Sequence, residues 1–305
     1  MDMPGRAREV DTIINGELRA RTLCVDARHG AACAELWATG RYNELRISEF
    51  ENPGLKDIEF LSIFRKITYL HLMLDRKIDL SPLCQHANSL QGFSCNDGIN
   101  GLKDCRPFTC LELWGQKYFP SMKFADNYPN LLGLCLSGKY TNLEALPRAD
   151  NLKEISFPQT SIESLQGIER YPELEKVLIY QARKLRDISQ LSRLKNLKEI
   201  DFDKCRCLVQ GGFDWSCLHG LRKMVYMGCT AMPDLQFIRE MPDLFWLVIM
   251  DTDVLDGDLN PVAEHPRLQH FVCTSYRHFT HTEAQLRKIL IARKSLCNSS
   301  TGREK

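Results

Sequence analysis

The sequence predicts an α/β solenoid: one curved parallel sheet with one short strand per repeat, short helices or turns on the other side, and a C-terminal capping helix. Three observations support this fold class. Apolar residues recur at positions one, four and six of units about 22 residues long. One register holds from Ile67 to Leu268, and the chain then changes to a helical pattern. A solenoid also allows one continuous core over 305 residues.

The repeat is clearest in the middle of the chain, where three units share one pattern. The apolar positions one, four and six are Leu152, Ile155 and Phe157, then Leu174, Val177 and Ile179, then Leu197, Ile200 and Phe202. Positions four and six alternate like one face of a strand. After the first of these strands, apolar residues follow at intervals of three, at Ile162, Leu165, Ile168 and Tyr171. This spacing predicts a tight, helix-like return.

These units resemble the leucine-rich-repeat family. The resemblance rests on the segments 152–157, 174–179 and 197–202, which read LKEISF, LEKVLI and LKEIDF. It implies strands on a concave face and a short convex return. At position nine, where the family usually has Asn or Cys, the units carry Thr160, Ala182 and Cys205. The resemblance therefore implies an irregular solenoid.

The same register extends in both directions and defines the domain organisation. Seven further units have positions one, four and six at Ile67/Leu70/Leu72, Leu90/Phe93/Cys95, Phe108/Leu111/Leu113, Leu131/Leu134/Leu136, Leu221/Met224/Tyr226, Leu244/Leu247/Ile249 and Leu268/Phe271/Cys273. Segments 18–26 and 42–47 read as degenerate opening strands, with a helix between them, so about twelve parallel strands are expected. We predict an N-terminal cap with a first repeat over 1–41, repeats over 42–280, a capping helix over 281–297 and a disordered tail over 298–305.

The C-terminal segment reads as an amphipathic helix. Thr282 and Gln285 have capping-box spacing, and apolar residues follow at near-helical intervals. Basic residues lie between them, at Arg287, Lys288, Arg293 and Lys294. A helix here would cover the apolar end of the repeat array. The alternative is that this basic helix binds nucleic acid or a membrane surface.

Composition gives no sign of a charged ligand or a secreted protein. Lys and Arg number 40 against 39 Asp and Glu, so no global field favours nucleic acid or membrane. Neither a signal peptide nor a long apolar run is apparent, which predicts a cytoplasmic protein. The 13 cysteines are expected to be reduced. Packing explains Cys205 and Cys207 better than a zinc site does, and we expect no metal or cofactor.

The register predicts which residues face outward from the strands. If positions four and six are buried, positions three, five and seven lie on the concave side. We define the concave patch as twelve such residues: Lys176, Leu178, Tyr180, Glu199, Asp201, Asp203, Val225, Met227, Trp246, Val248, Met250 and His270. Seven of them are large and apolar, which is typical of interaction sites. The acidic residues offer carboxylates to Lys or Arg of a partner. The alternative is that the cap or a loop covers this patch.

The sequence carries no motif of a catalytic site. A thiol-dependent enzyme is the remaining enzymatic alternative, because Cys110, Cys135 and His71 would share one face. Units two strands apart would separate these groups by roughly 10 Å. We therefore expect a non-catalytic module that binds another protein, neither nucleic acid nor a membrane. Such a module acts as a stoichiometric inhibitor, an adaptor or a regulatory subunit. A cytosolic immunity protein that neutralises a toxin is one example by analogy. The sequence leaves the oligomeric state open.

Overall fold

The computed structural model describes residues 8–14, 17–86, 88–96, 108–114, 128–208 and 213–301. The chain divides into two compact units. The first comprises Met1–Lys139 and Leu146–Leu152, and the second comprises Tyr140–Ala145 and Lys153–Lys305. In each unit, strands that are consecutive in the sequence pair side by side. This arrangement is expected of a repeat in which each unit contacts only its neighbours.

The first unit contains seven strands and one α-helix within the described ranges. The strands are β1 (Arg8–Ile14), β2 (Glu17–Cys24), β3 (Glu44–Ser48), β4 (Tyr69–Met73), β5 (Gly92–Cys95), β6 (Cys110–Leu113) and β7 (Gly133–Leu136), and the helix is α1 (Gly30–Ala38). From β2 to β7 each strand is parallel to the next. Short 3-10 helices at Glu59–Ile63 and Ser81–His86 form returns between strands.

The N-terminal strand β1 differs from the sequence prediction, which expected no strand before residue 18. β1 pairs with β2 in an antiparallel hairpin. Arg21 on β2 lies 3.1 Å from Asp11 and 3.5 Å from Glu9 of β1. Residues 8–12 of β1 are exposed or half-buried, so no buried apolar alternation marks them. Pairing and charge hold this edge strand, and these leave little trace in a hydrophobic pattern.

The second unit contains six strands and two α-helices in its described part. The strands are β8 (Glu154–Pro158), β9 (Lys176–Tyr180), β10 (Glu199–Asp203), β11 (Lys223–Met227), β12 (Trp246–Met250) and β13 (His270–Cys273), and the helices are α2 (Asn260–Glu264) and α3 (Glu283–Thr301). All five strand pairs are parallel. Every one of the twelve predicted strand segments overlaps an observed strand. The leucine-rich-repeat solenoid predicted as the fold class is thus confirmed.

Alternation along the strands produces the core. On β10, Ile200 and Phe202 have no exposed surface, whereas Glu199, Asp201 and Asp203 are half-buried on the opposite face. The same alternation holds in β8, β9, β11 and β12. Short 3-10 helices close the other side of the core at Ile168–Arg170, Ser189–Arg193, Trp215–Cys217 and Gln236–Glu240.

Position nine carries a hydrogen-bond ladder of mixed side chains. The backbone N–H of Cys205 donates to Cys229 Sγ at 3.4 Å, and that of Cys229 donates to Thr252 Oγ1 at 3.2 Å. The Cys205 thiol in turn donates to the carbonyl of Ile179 at 3.6 Å. The Cys229 thiol and burial raise the pKa of Cys205. Cys205 is therefore a protonated thiol that packs and bonds within the fold.

Aspartates start the returns, a regularity that the apolar pattern does not reveal. In seven units within the described ranges, an Asp side chain accepts a hydrogen bond from the backbone N–H two residues later. These aspartates are Asp26, Asp57, Asp79, Asp187, Asp214, Asp234 and Asp258. Each fixes the chain direction where the strand-side loop enters the return.

Replacing Asp234 by alanine is expected to lower the free energy of unfolding by about 1 kcal/mol, because the N–H of Gln236 loses its acceptor at 2.8 Å. Urea denaturation followed by circular dichroism measures this change. Asp234→Asn is the matched control, since the amide oxygen still accepts the bond. A loss equal to that of alanine in the asparagine variant would contradict this role.

The helix α3 closes the second unit beside β13 and α2. The predicted capping box is present: the N–H of Thr282 donates to Gln285 Oε1 at 2.7 Å, and that of Gln285 donates to Thr282 Oγ1 at 3.3 Å. Leu286 and Leu290 are buried. The helix continues to Thr301, beyond the predicted end at 297, and residues 302–305 of the predicted tail lie outside the described ranges.

Candidate functional site

Parallel pairing assembles the twelve residues of the concave patch into three rows in the second unit. Position three contributes Lys176, Glu199, Trp246 and His270; position five contributes Leu178, Asp201, Val225 and Val248; position seven contributes Tyr180, Asp203, Met227 and Met250. Neighbouring members of a row lie on adjacent strands, except that Lys223 of β11, which is not part of the patch, lies between Glu199 and Trp246. A spacing of 23 or 24 residues in sequence thus becomes direct adjacency in space.

All twelve side chains of the concave patch keep access to solvent. Eleven are half-buried and His270 is exposed, whereas their neighbours at positions four and six, such as Val177 and Ile249, are buried. The row at position five continues to Val272 on β13, which is 37% exposed. The patch is therefore a continuous, partly exposed surface that is rich in apolar groups.

One edge of the patch is a ladder of alternating charges. The Lys176 ammonium lies 3.8 Å from both Glu154 and Glu199, and Lys223 lies 3.8 Å from Glu199. These side chains are roughly a third to a half exposed, and pairs of this kind contribute little to stability. The ladder does neutralise the charges at position three, so the net charge of the patch is decided at positions five and seven.

Two aspartates on β10 occupy the middle of the patch. Asp201 lies between Leu178 and Val225 of the adjacent strands, and Asp203 lies between Tyr180 and Met227. The Tyr180 hydroxyl donates to Asp201 Oδ2 at 3.1 Å. Burial raises the pKa of the Asp201 carboxyl, an effect that the bond from Tyr180 only partly opposes.

Each of these two aspartates has one oxygen without a partner. Asp201 Oδ1 and Asp203 Oδ1 are inaccessible to solvent and accept no hydrogen bond from the described residues. Leaving a buried polar atom in this state costs about 1–3 kcal/mol, and more when the group is charged. Native proteins keep few such atoms, and an ordered water, an ion or a group of a partner molecule can satisfy them.

Aromatic side chains lie on both sides of the two aspartates: Trp246 and His270 on β12 and β13, and Tyr180 on β9. The rings of Trp246 and His270 stack with centroids 4.4 Å apart and an interplanar angle of 30°. Burial raises the pKa of the Tyr180 hydroxyl, with a further contribution from the Asp201 charge, so this phenol is a neutral donor. Tyrosine and tryptophan thus flank the carboxylates with rigid apolar surface.

The groups considered for thiol chemistry lie in the first unit and have other contacts. The Tyr69 hydroxyl lies 3.4 Å from Cys110 Sγ and 3.3 Å from Glu112 Oε1. His71 Nε2 lies 3.1 Å from Glu44 Oε2, and this hydrogen bond lowers the pKa of Glu44. The repeat register places Tyr69 and Glu112 on the same face as His71 and Cys110. Sequence reasoning missed Glu44, whose only signal was position three of a degenerate unit.

The basic residues of α3 do not form a uniform surface. The Arg293 guanidinium donates to the backbone carbonyls of His265 and Ala263 and ties the helix to the end of α2. Arg287 and Lys288 are exposed, and the side chain of Lys294 lies outside the described residues. Within the described ranges, no helix has the length and hydrophobicity to span a membrane, and no cluster of three or more His, Cys, Asp or Glu residues has the geometry of a metal site.

Three solved structures align with this chain. An internalin of Listeria monocytogenes superposes with a TM-score of 0.55 at 18% identity, over 76% of this chain and 66% of that one. Internalin C2 of the same species (TM-score 0.34, 16% identity, 82% and 84% coverage) and a leucine-rich-repeat protein of Leptospira interrogans (0.35, 14%, 80% and 80%) also align.

The first superposition, together with the repeat geometry, shows that this chain has the leucine-rich-repeat fold. Proteins of this fold typically bind other proteins. The chain spans just under two thirds of the length of the first internalin. No protein-family model and no curated protein matches the sequence.

Proposed function

We propose that this protein is a non-catalytic binding module that holds a partner protein on the concave patch. The observation that carries this proposal is the pair of unpartnered carboxylate oxygens, Asp201 Oδ1 and Asp203 Oδ1, among partly exposed apolar side chains. The carboxylates reduce the stability of the isolated chain, which indicates that their benefit lies in a complex.

The chemistry of the patch specifies what the partner presents. A Lys or Arg side chain would pair with these carboxylates once the aspartates rotate to expose the two buried oxygens, and the planar fork of Arg suits a carboxylate pair best. Apolar residues of the partner would pack on Tyr180, Met227 and Trp246. Aromatic anchors around a desolvated charged contact are the usual composition of an interface hot spot.

The proposal extends to what the protein does once a partner occupies the concave patch. We assign occupation of a partner as the action of the protein, since a repeat solenoid supplies an extended concave binding surface. It then serves as a stoichiometric inhibitor, an adaptor or a regulatory subunit. A cytosolic protein that neutralises a toxin is one form of such an inhibitor, by analogy alone.

Replacing Tyr180 and Trp246 together by alanine is expected to reduce partner affinity at least 100-fold, because two hot-spot anchors are lost at about 2 kcal/mol or more each. The partner is first captured from a native lysate of the source organism with immobilised wild-type protein, identified by mass spectrometry and produced in recombinant form. Isothermal titration calorimetry then gives the affinity and the stoichiometry.

The matched control is Phe50→Ala/Leu255→Ala, which removes two large apolar side chains that are 82% and 62% exposed outside the patch. Circular dichroism establishes that both variants fold. The control is expected to bind like wild type. If both double variants lost affinity equally, or if neither did, the patch would not be the binding face.

A further inference from the structure

A second site lies at the C-terminal end of the second unit, outside the concave patch. It is a pocket of about 450 Å³ between the residues that precede β11–β13 and one face of α3. The lining residues are Arg222, Asp243, Phe245, Pro266, Arg267, Leu268, Gln269, Leu290 and Arg293. A volume of this size is typical of sites for small ligands or single side chains.

Charge in this pocket is unbalanced. Three arginines and one aspartate line it, which leaves two net positive charges. Arg267 is paired with Asp243, and Arg293 is held by the carbonyls of His265 and Ala263. In the described part of the chain, the side chain of Arg222 makes no hydrogen bond or ion pair. Its planar fork is free for an incoming ligand.

The repeat register shows why Arg222 stands out. At position two of successive units, Glu175 bridges Lys153 at 3.3 Å and Lys198 at 2.7 Å. The next member of the row is Arg222, whose backbone N–H bonds the carbonyl of Lys198. Strict alternation would place an acid at residue 222, but Arg222 stands there next to Lys198 and Phe245 follows it, so two cations are adjacent and no acid lies beside Arg222 in this row. The row lacks one negative charge at the mouth of the pocket.

Apart from Gln269, the remaining lining of the pocket is apolar. Leu268 and Leu290 are buried at the base of the pocket, and the Phe245 side chain is 39% exposed at its rim. From these features we infer that the pocket binds an oxyanion, a carboxylate or phosphate, that is attached to an apolar or aromatic group. Arg222 holds the anion, Arg267 and Arg293 add long-range attraction, and Phe245 contacts the apolar part.

The test titrates the intact protein with phenyl phosphate and with a hexapeptide that ends in phenylalanine, which represent a small-molecule source and a polypeptide source. Benzyl alcohol and the C-terminally amidated peptide are the neutral counterparts. A fragment of this size is expected to bind with a Kd on the order of 1 mM, measured by NMR chemical-shift titration at low salt. The neutral probes should bind at least tenfold more weakly.

Arg222→Gln is expected to weaken both anionic probes at least tenfold, whereas Arg186→Gln, which removes another exposed arginine, should bind like wild type. Binding of either anion with this dependence on Arg222 supports the inference and names the source. Equal binding by the two variants, or no saturation of either anion below about 20 mM, would overturn it. The pocket shares no residue with the concave patch, so this result is independent of the proposed partner binding.

Discussion

Phe202→Ala is expected to lower the free energy of unfolding by about 3–5 kcal/mol, one of the largest effects of a single substitution in this chain. Phe202 has no exposed surface, and its ring centroid lies 6.4 Å from that of Trp215 and 6.5 Å from that of Tyr226. The cavity would open between adjacent repeats, where the stability of a solenoid resides. Urea denaturation followed by circular dichroism measures the loss.

Phe245→Ala is the matched control, because it makes the same change two repeats further along at a side chain that is 39% exposed. We expect it to cost less than about 1 kcal/mol. If the two alanine variants were equally destabilised, the assignment of position six to the core and of position two to the surface would be wrong.

Asp201→Asn, unlike Phe202→Ala, is expected to weaken partner binding without lowering the free energy of unfolding. Removing one partner of a buried charged contact costs about 2–5 kcal/mol, so affinity for the partner protein should fall roughly 30-fold or more. The amide oxygen still accepts the bond from Tyr180, and the desolvated charge is gone. At pH 7 the midpoint of thermal unfolding should therefore equal or exceed that of wild type.

The stability difference between wild type and Asp201→Asn is also expected to change with pH in a defined direction. Burial raises the pKa of Asp201 above its ordinary value of 3.8, so the protonated form is the one that the fold favours. The contribution of Asp201 to stability is fully present below 3.8 and is lost as the pH rises through the raised pKa of the folded state. Wild type should lose stability relative to Asp201→Asn over that interval, as thermal unfolding at a series of pH values would show.

Glu240→Gln is the control for this pair of measurements, since it neutralises an exposed carboxylate on a return rather than on the patch. It should change neither affinity nor the pH profile. A tenfold loss of affinity in both variants would point to net charge as the cause, and would remove Asp201 from the contact.

Much of this architecture was predictable because its determinants are local and repeated. Apolar residues at Ile200 and Phe202 set the alternation of β10, and a register that persists over many units leaves little freedom in how strands pair. Strand β1 was not predictable in this way, because its contacts are cross-strand charges between Arg21 and Asp11. The aspartates that open the returns, such as Asp234, form a signal that apolar counting ignores.

The sequence alone determined the repeat, the buried face of each strand and the identity of the outward-facing residues, since all three follow from periodicities of 2 and about 22 along the chain. The tertiary structure decided the environment of those residues. Only the pairing of β9, β10 and β11 sets Asp201 between two apolar side chains and leaves one oxygen open. Only the packing of α3 beside β13 encloses the pocket at Arg222. Desolvation and charge depend on neighbours that are 20 to 70 residues away in sequence, and no local pattern encodes their distance.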